Sequence, residues 1–398
     1  MFDQQHFHRI PAILCLLWGI MFTSLRAQET LNIQTGISDP KATKQARMLF
    51  DNLRAISGKS ILFGHQDALA YGVTWTGEAN RCDVKDVCGA YPAVFGWDLG
   101  KLSKDGLYNI DSVNFTNMKR WIRQAYTMGS INTISWHIDN LVSGGNSWDT
   151  TTAIRQLLPG GTHHDKLLEQ LDLFADFVLD LKSEGVFKHY IPIIFRPWHE
   201  NTGSWFWWGK ASCTPEEYKA FWRFTVDYLR NVKNVHHLLY AYSPDPFQTK
   251  EEYLETYPGD AYVDVMGLDH YFWVNSIARA QELTKKLEII VQLAEERGKI
   301  AALTETGLEA IPDRLWWTEA LLHHVNATPQ SGKIAYMLVW RNAYTLKNHY
   351  YAPYPGQISA PNFVYFSRNA RIMLNDRLPK MYKKQRKNEE PSESVTQQ

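Results

Sequence analysis

The stretch Tyr190-Ile191-Pro192-Ile193-Ile194-Phe195-Arg196-Pro197-Trp198-His199-Glu200 runs from apolar, β-branched residues straight into a strongly polar end. Short runs of this kind are the mark of a strand buried on both faces. Seven more occur, at 61–66, 93–99, 131–137, 237–244, 263–271, 300–307 and 334–342. Stretches of helical period lie between them at 114–128, 164–184, 214–232, 277–297 and 316–325. Thr214-Pro215-Glu216-Glu217 supplies an N-cap, a proline at the first helical position and an acidic first turn. Strands that alternate with helices predict an α/β fold with a parallel sheet, and eight is the number that closes a (β/α)8 TIM barrel. The alternative is an open, doubly wound sheet. That fold usually carries a glycine-rich phosphate turn, and neither GxGxxG nor GxxxxGK[ST] occurs here.

One catalytic domain is expected over 28–378. From 379 to 398 the chain turns polar, with Lys380, Lys383, Lys384, Arg386 and Lys387 ahead of a Glu/Ser-rich end, and a disordered tail is expected. The first residues look like a leader: Arg9 precedes the apolar run 10–22, and Leu25-Arg26-Ala27 offers a small-residue cleavage site before Gln28. Export to the periplasm or medium follows, with 1–27 removed. Cys15 lies inside the apolar run, not at its end, which makes a lipid anchor the weaker reading. No later segment is long and apolar enough to span a bilayer, so no stable membrane insertion is expected after leader removal.

The chain has 42 basic and 42 acidic residues, and so lacks the clustered positive field that nucleic acid requires. Its 15 tryptophans are many for an ordinary enzyme; a large aromatic core is the bland explanation, and platforms for sugar rings are the other. An oxidising compartment would favour a disulfide between Cys82 and Cys88 across the polar loop 83–87, leaving Cys213 free. The three cysteines left after leader removal, with no paired CxxC, give no zinc site. His199-Glu200 does not begin HExxH, because Gly203 stands where the second histidine belongs. The doublets His163-His164, His236-His237 and His323-His324 are expected to be exposed polar residues, since sequence neighbours do not face one site.

In such barrels the chemistry sits where strands end. The third run ends Ser135-Trp136-His137, the fourth in Glu200, the sixth Asp269-His270-Tyr271, the seventh Thr304-Glu305-Thr306-Gly307, the eighth Trp340-Arg341-Asn342. Carboxylates after strands four and seven face each other across one mouth, the pair that retaining glycosidases need. If strand four stays extended to its end, Arg196 points the same way as Glu200. An arginine there would keep Glu305 ionised, while apolar surroundings would keep Glu200 protonated. Taken alone, Glu305 has a capping role as an equal alternative. Downstream of Glu200, the segment Asn201-Thr202-Gly203-Ser204-Trp205-Phe206-Trp207-Trp208-Gly209 is suited to stacking on pyranose faces, Trp205 and Phe206 above all.

At these residues the chain resembles glycoside hydrolase family 26, of the clan with its acid/base after strand four and its nucleophile after strand seven. The segment 195–209 is similar to the family's acid/base signature, and Thr304-Glu305-Thr306-Gly307 to its nucleophile segment. The resemblance implies Glu200 as acid/base and Glu305 as nucleophile. His199 would sit against the acid/base, Trp205 would line the cleft beside it, and Tyr271 would hydrogen-bond the nucleophile with Asp269 nearby. His137, Trp340 and Arg341 would line the subsite of the cleaved sugar, with Trp148 as a further platform. It also implies β-1,4-mannan, glucomannan or galactomannan as substrate, no cofactor and no metal; a monomer or weak dimer is expected. β-1,3-Xylan or mixed-linkage β-glucan is the alternative polymer, and a non-catalytic carbohydrate-binding barrel the alternative class. Endo and chain-end attack both stay open, since that depends on loops such as 142–161 and 342–361.

Overall fold

A computed structural model describes residues 36–274 and 277–384. The leader expected at 1–27 and the tail beyond 384 lie outside the described residues. The barrel strands are β1 (Ile61–Gln66), β2 (Val94–Asp98), β3 (Ile131–Ser135), β4 (Ile193–Arg196), β5 (Leu238–Tyr242), β6 (Val265–Tyr271), β7 (Ile300–Gly307) and β8 (Tyr336–Val339). Each pairs in parallel with the next, and β8 closes onto β1 through Leu62↔Tyr336 to His65↔Val339. This is the predicted (β/α)8 barrel. A two-residue strand, Ile372–Met373, adds to the start of β1, and a small hairpin pairs Tyr71–Gly72 with Trp75–Thr76.

Alternation along each strand sorts side chains into two apolar layers. Leu62, Val94, Ile194, Leu239, Val265, Ala302 and Leu338 fill the barrel. Phe63, Phe95, Ile134, Phe195, Leu268 and Leu303 face the surrounding helices. The helix Lys44–Ile56 presents Leu49, Phe50 and Leu53 to the inner layer, together with the first residues of β3 and β7, and so packs on the N-terminal end of the barrel. The opposite end is left for the site. Most tryptophans belong to the outer layer, as the bland reading has it: Trp97, Trp136, Trp198, Trp207, Trp208, Trp222, Trp316 and Trp317 are fully buried, while Trp148, Trp205 and Trp273 are exposed.

Three expectations need correction. Cys82 and Cys88 are free thiols. The segment between them is a helix, Asp83–Cys88, whose first carboxylate takes Trp75 Nε1 at 2.6 Å and Asn342 Nδ2 at 2.7 Å. Six helical steps separate the two cysteines by about 9 Å along the axis, beyond the reach of a disulfide. The folded domain also passes 378: Met381 is buried, Asn52 Nδ2 donates to its carbonyl at 2.8 Å, and the Tyr382 hydroxyl donates to Ser130 O at 2.7 Å. Finally, His237 is buried, hydrogen-bonded through Nε2 to Val178 O, while its neighbour His236 turns the other way to Asp39.

The Phe63 ring sits edge-on against Trp317, Phe363 and Phe366 at centroid distances of 5.9, 5.2 and 5.6 Å. Truncating it leaves a void that these rings cannot close. Phe63→Ala should lose about 3–5 kcal/mol of stability, read as a lower denaturant midpoint with the slope preserved; an unchanged midpoint would refute the packing account.

Candidate active site

Strand alternation holds in β4 only as far as Arg196. Ile194 and Arg196 point into the barrel, and Phe195 points out onto Phe174 at 4.1 Å. Beyond that the backbone leaves the extended region: Trp198 and Glu200 have φ of 49° and 53°. Non-glycine residues enter the left-handed region only when their surroundings hold them there. Trp198, which shares parity with Arg196, is turned into the helix layer, where it packs at a tilt against Phe221 at 4.4 Å and its carbonyl accepts the Tyr218 hydroxyl at 2.8 Å. The extended-strand expectation is therefore wrong. Glu200 reaches the mouth because the chain turns twice, and its N–H donates to Ser243 O, just past β5, at 2.8 Å.

A comparable irregularity aims Glu305. Along β7, Ile300 and Ala302 face inward and Ala301 and Leu303 outward, so strict alternation would turn Glu305 out. The register with β6 jumps from Leu268↔Leu303 to Asp269↔Glu305, and that with β8 from Met337↔Leu303 to Val339↔Thr306. Both neighbours thus place one extra residue, Thr304, in β7. This bulge re-aims the next side chain. Thr304 Oγ1 donates to Leu268 O and to Asp269 Oδ1, both at 2.9 Å, which pins the bulge in place. Gly307 (φ 153°) completes the strand where a Cβ would lie 2.4 Å from the Tyr351 ring.

The two irregular strand ends converge on Arg196. Its guanidinium donates to Asp269 Oδ2 at 2.5 Å and to Glu305 Oε2, and Tyr271 donates its hydroxyl to Glu305 Oε1 at 2.5 Å. Arg196, Asp269 and Glu305 are all buried. Burial alone would pull the guanidinium down, but Asp269, Glu305 and Glu200 outweigh it and raise Arg196, which stays charged. Among the described residues Glu200 has no such cation in contact. Its Oε2 accepts Trp205 Nε1 at 2.6 Å. Loss of water around the carboxyl, then the charges of Glu305, Asp269 and Asp245, push Glu200 well above the usual carboxylate range; the Trp205 bond acts in the opposite sense.

Aromatic and imidazole rings wall the cleft beside these carboxylates. Trp148 stacks on His137 at 5.5 Å, Phe206 lies 5.4 Å from His137, and Trp340 lies 6.0 Å from it. His137 Nε2 meets His199 Nε2 at 3.2 Å. Burial and the charges of Arg196 and His137 hold His199 far below the usual histidine range, so it is neutral. Trp148 and Trp205 are 49% and 37% exposed and offer open ring faces.

The residues singled out in the sequence therefore meet in one place: Glu200, Glu305, Arg196, Asp269, Tyr271, His137, His199, Trp205, Phe206, Trp148 and Trp340. Arg341 stands one step along the rim, paired with Asp111 at 2.8 Å and lying over the Tyr71 ring, whose hydroxyl donates to Asp67 at 2.6 Å. Sequence reading missed Asp98, which bonds His137 Nδ1 at 2.8 Å. The signal was there, since Asp98 is the polar end of the second run as Glu305 is of the seventh. Among the described residues no group of His, Cys, Asp and Glu is arranged to hold a metal ion. A groove of about 860 Å³ opens between the loop after β6 and the segment near Trp316; neither Glu200 nor Glu305 lines it, so cavity size does not mark the site.

The model of glycosyl hydrolase family 26 matches residues 38–346. A mannan endo-1,4-beta-mannosidase of Bifidobacterium adolescentis is 38% identical over 77% of the chain and 32% of its own length. The chain spans 32–59% of the length of the first curated relatives it matches. A GH26 beta-mannanase structure from Bacteroides ovatus is 47% identical with a TM-score of 0.81, covering 86% of this chain and 98% of that one. The catalytic domain of a Bacillus sp. GH26 endo-beta-1,4-mannanase is 36% identical with a TM-score of 0.81, covering 88% and 96%. The matched segment takes in every strand of the barrel and both carboxylates of the mouth, and the chain belongs to glycosyl hydrolase family 26.

Proposed function

We propose that this chain is an exported endo-acting hydrolase that cleaves β-1,4-mannosidic bonds in mannan, glucomannan or galactomannan with retention of configuration. The observation that carries the mechanism is the unequal treatment of two carboxyls at one mouth. Glu305 is held by Arg196 and Tyr271, with both oxygens engaged. Among the described residues the Glu200 carboxyl is bound through Trp205 alone, and it is pushed toward its protonated form. This asymmetry suits a nucleophile and a general acid. Glu305 attacks the anomeric carbon while Glu200 protonates the departing glycosidic oxygen, giving a glycosyl ester on Glu305. Glu200, now a carboxylate, takes a proton from water as the water oxygen attacks the same carbon, and Glu305 leaves as a carboxylate. Trp148 and Trp205 expose ring faces suited to the apolar sides of the sugars. The substrate assignment draws on the mannanases to which the chain is similar, and export on the apolar run 10–22.

With mannan as substrate and products resolved by size, wild type should release manno-oligosaccharides of mixed length early. Glu200→Ala should lower kcat by about 10²–10⁴, and Glu305→Ala should be silent, both with unchanged circular dichroism. Cleavage of β-1,3-xylan or mixed-linkage β-glucan in place of mannan would remove the substrate assignment and leave the carboxylate roles standing; no cleavage by wild type would favour a carbohydrate-binding barrel.

The general acid must carry its proton, so activity should fall as pH rises through the elevated pKa of Glu200. The Trp205 bond favours the ionised form. Removing it in Trp205→Phe should raise the pKa of Glu200 further and move the alkaline limb of kcat/KM to higher pH. A shift to lower pH would contradict the assignment of Glu200 as the acid.

A further inference from the structure

We infer that Asp98 is a positioning residue for this reaction: from the end of β2 it fixes the His137 ring by its Nδ1, so that Nε2 meets His199 beside Glu200. The inference rests on the hydrolase reading above. Asp98 is fully buried, and both of its oxygens are taken. Oδ2 accepts Ser135 Oγ at 2.6 Å and bonds His137 Nδ1 at 2.8 Å; Oδ1 accepts Gly100 N at 2.6 Å and His137 N at 3.3 Å. A carboxylate held at this many points cannot rotate away, and it dictates which nitrogen of the facing ring carries a hydrogen. The site is built closely around it. A Cβ at Gly100 would stand 2.9 Å from Asp98 Oδ1 and 2.7 Å from His137 O.

The other ring nitrogen transmits that constraint. His137 Nε2 lies 3.2 Å from His199 Nε2, with the two ring planes at 81°. His199 Nδ1 is buried with no hydrogen-bond partner among the described residues, so the contact with His137 is what orients the ring within the hydrogen-bond network. His199 is adjacent in the chain to Glu200, whose left-handed backbone depends on its neighbours being held. Three carboxylates face His137: Asp98 from β2, Asp111 from the loop after it, and Glu305 from β7. His199 meets it from the end of β4, and the rings of Trp148, Phe206 and Trp340 close the remaining sides. Burial draws His137 down, but Asp98 and then the more distant carboxylates outweigh it and raise it above the ordinary histidine value, while Asp98 itself is held at about 2. His199 stays neutral. The two Nε2 atoms share one hydrogen, and the Nδ1–H that Asp98 imposes on His137 sets what its Nε2 can offer to His199.

Histidine side chains observed by ¹H–¹⁵N NMR in the full chain test this without any substrate. In wild type, His137 should keep Nδ1–H at all working pH and remain an imidazolium above the pH at which an ordinary histidine is half charged. In Asp98→Asn, His137 should titrate at lower pH. In the same variant kcat on mannan should fall by as much as about 10²-fold, with KM changed less and with a pH profile displaced from that of wild type. A purely structural role for Asp98 would lower the amount of folded enzyme and leave the profile in place. Should Asp98→Asn fail to fold, the wild-type spectrum decides alone. The inference is overturned if wild-type His137 lacks the Nδ1 proton. It is overturned equally if folded Asp98→Asn titrates and turns over like wild type, or if its His137 titration moves while kcat does not. A chain that cuts no polymer but shows the predicted His137 spectrum would instead place the failure in the hydrolase reading.

Discussion

A single buried guanidinium organises the mouth of this barrel. Arg196 rises from β4 and takes carboxylates from β6 and β7, strands that are not its neighbours, so the contact crosses the barrel and does not run along the sheet. A buried cation without partners is so costly that removing one member of such a set typically destabilises by about 3–5 kcal/mol. With Arg196 committed to Asp269 and Glu305, the third carboxyl, Glu200, has the Trp205 indole as its one side-chain donor among the described residues. Two carboxyls at one site thus come to differ in their partners because there is one arginine to share.

Two backbone irregularities make that sharing possible. The bulge at Thr304 turns Glu305 inward, and the left-handed residues Trp198 and Glu200 bring the acid candidate back over the mouth while driving the Trp198 indole into the outer layer. Local departures of this kind cost energy and persist where the surroundings over-determine them. Here the fixing groups are in view: Thr304 Oγ1 on the β6 backbone, Tyr218 on the Trp198 carbonyl, and the Ser243 carbonyl on the Glu200 amide.

Most of the architecture could be read from the chain because buried parallel strands are short apolar runs with polar ends; β1 and β7 begin and end where the pattern places them, and Asp269 and Tyr271 of β6 both point into the site as period two requires. What escaped reading was non-local or backbone-borne. Nothing in Arg196-Pro197-Trp198-His199-Glu200 itself announces two positive φ values, and the parity argument gave the right neighbour for the wrong reason. The bulge is visible only against β6 and β8. Cys82 and Cys88 look like a clasped loop until Trp75 and Asn342, both distant from Cys88, seat the helix between them. The helix Lys44–Ile56 was not among the expected helices, although its signal is in the chain: Ala46, Leu49, Phe50, Leu53 and Ile56 repeat at helical spacing and are its buried face.

The central claim, that Glu200 and Glu305 carry out a double displacement, is tested most directly by the configuration of the first product. Proton NMR of manno-oligosaccharide hydrolysis, recorded before mutarotation, should show the β-anomer at the new reducing end appearing first and the α-anomer growing in only later. Initial release of the α-anomer would mean single displacement by water, and would contradict a nucleophilic Glu305.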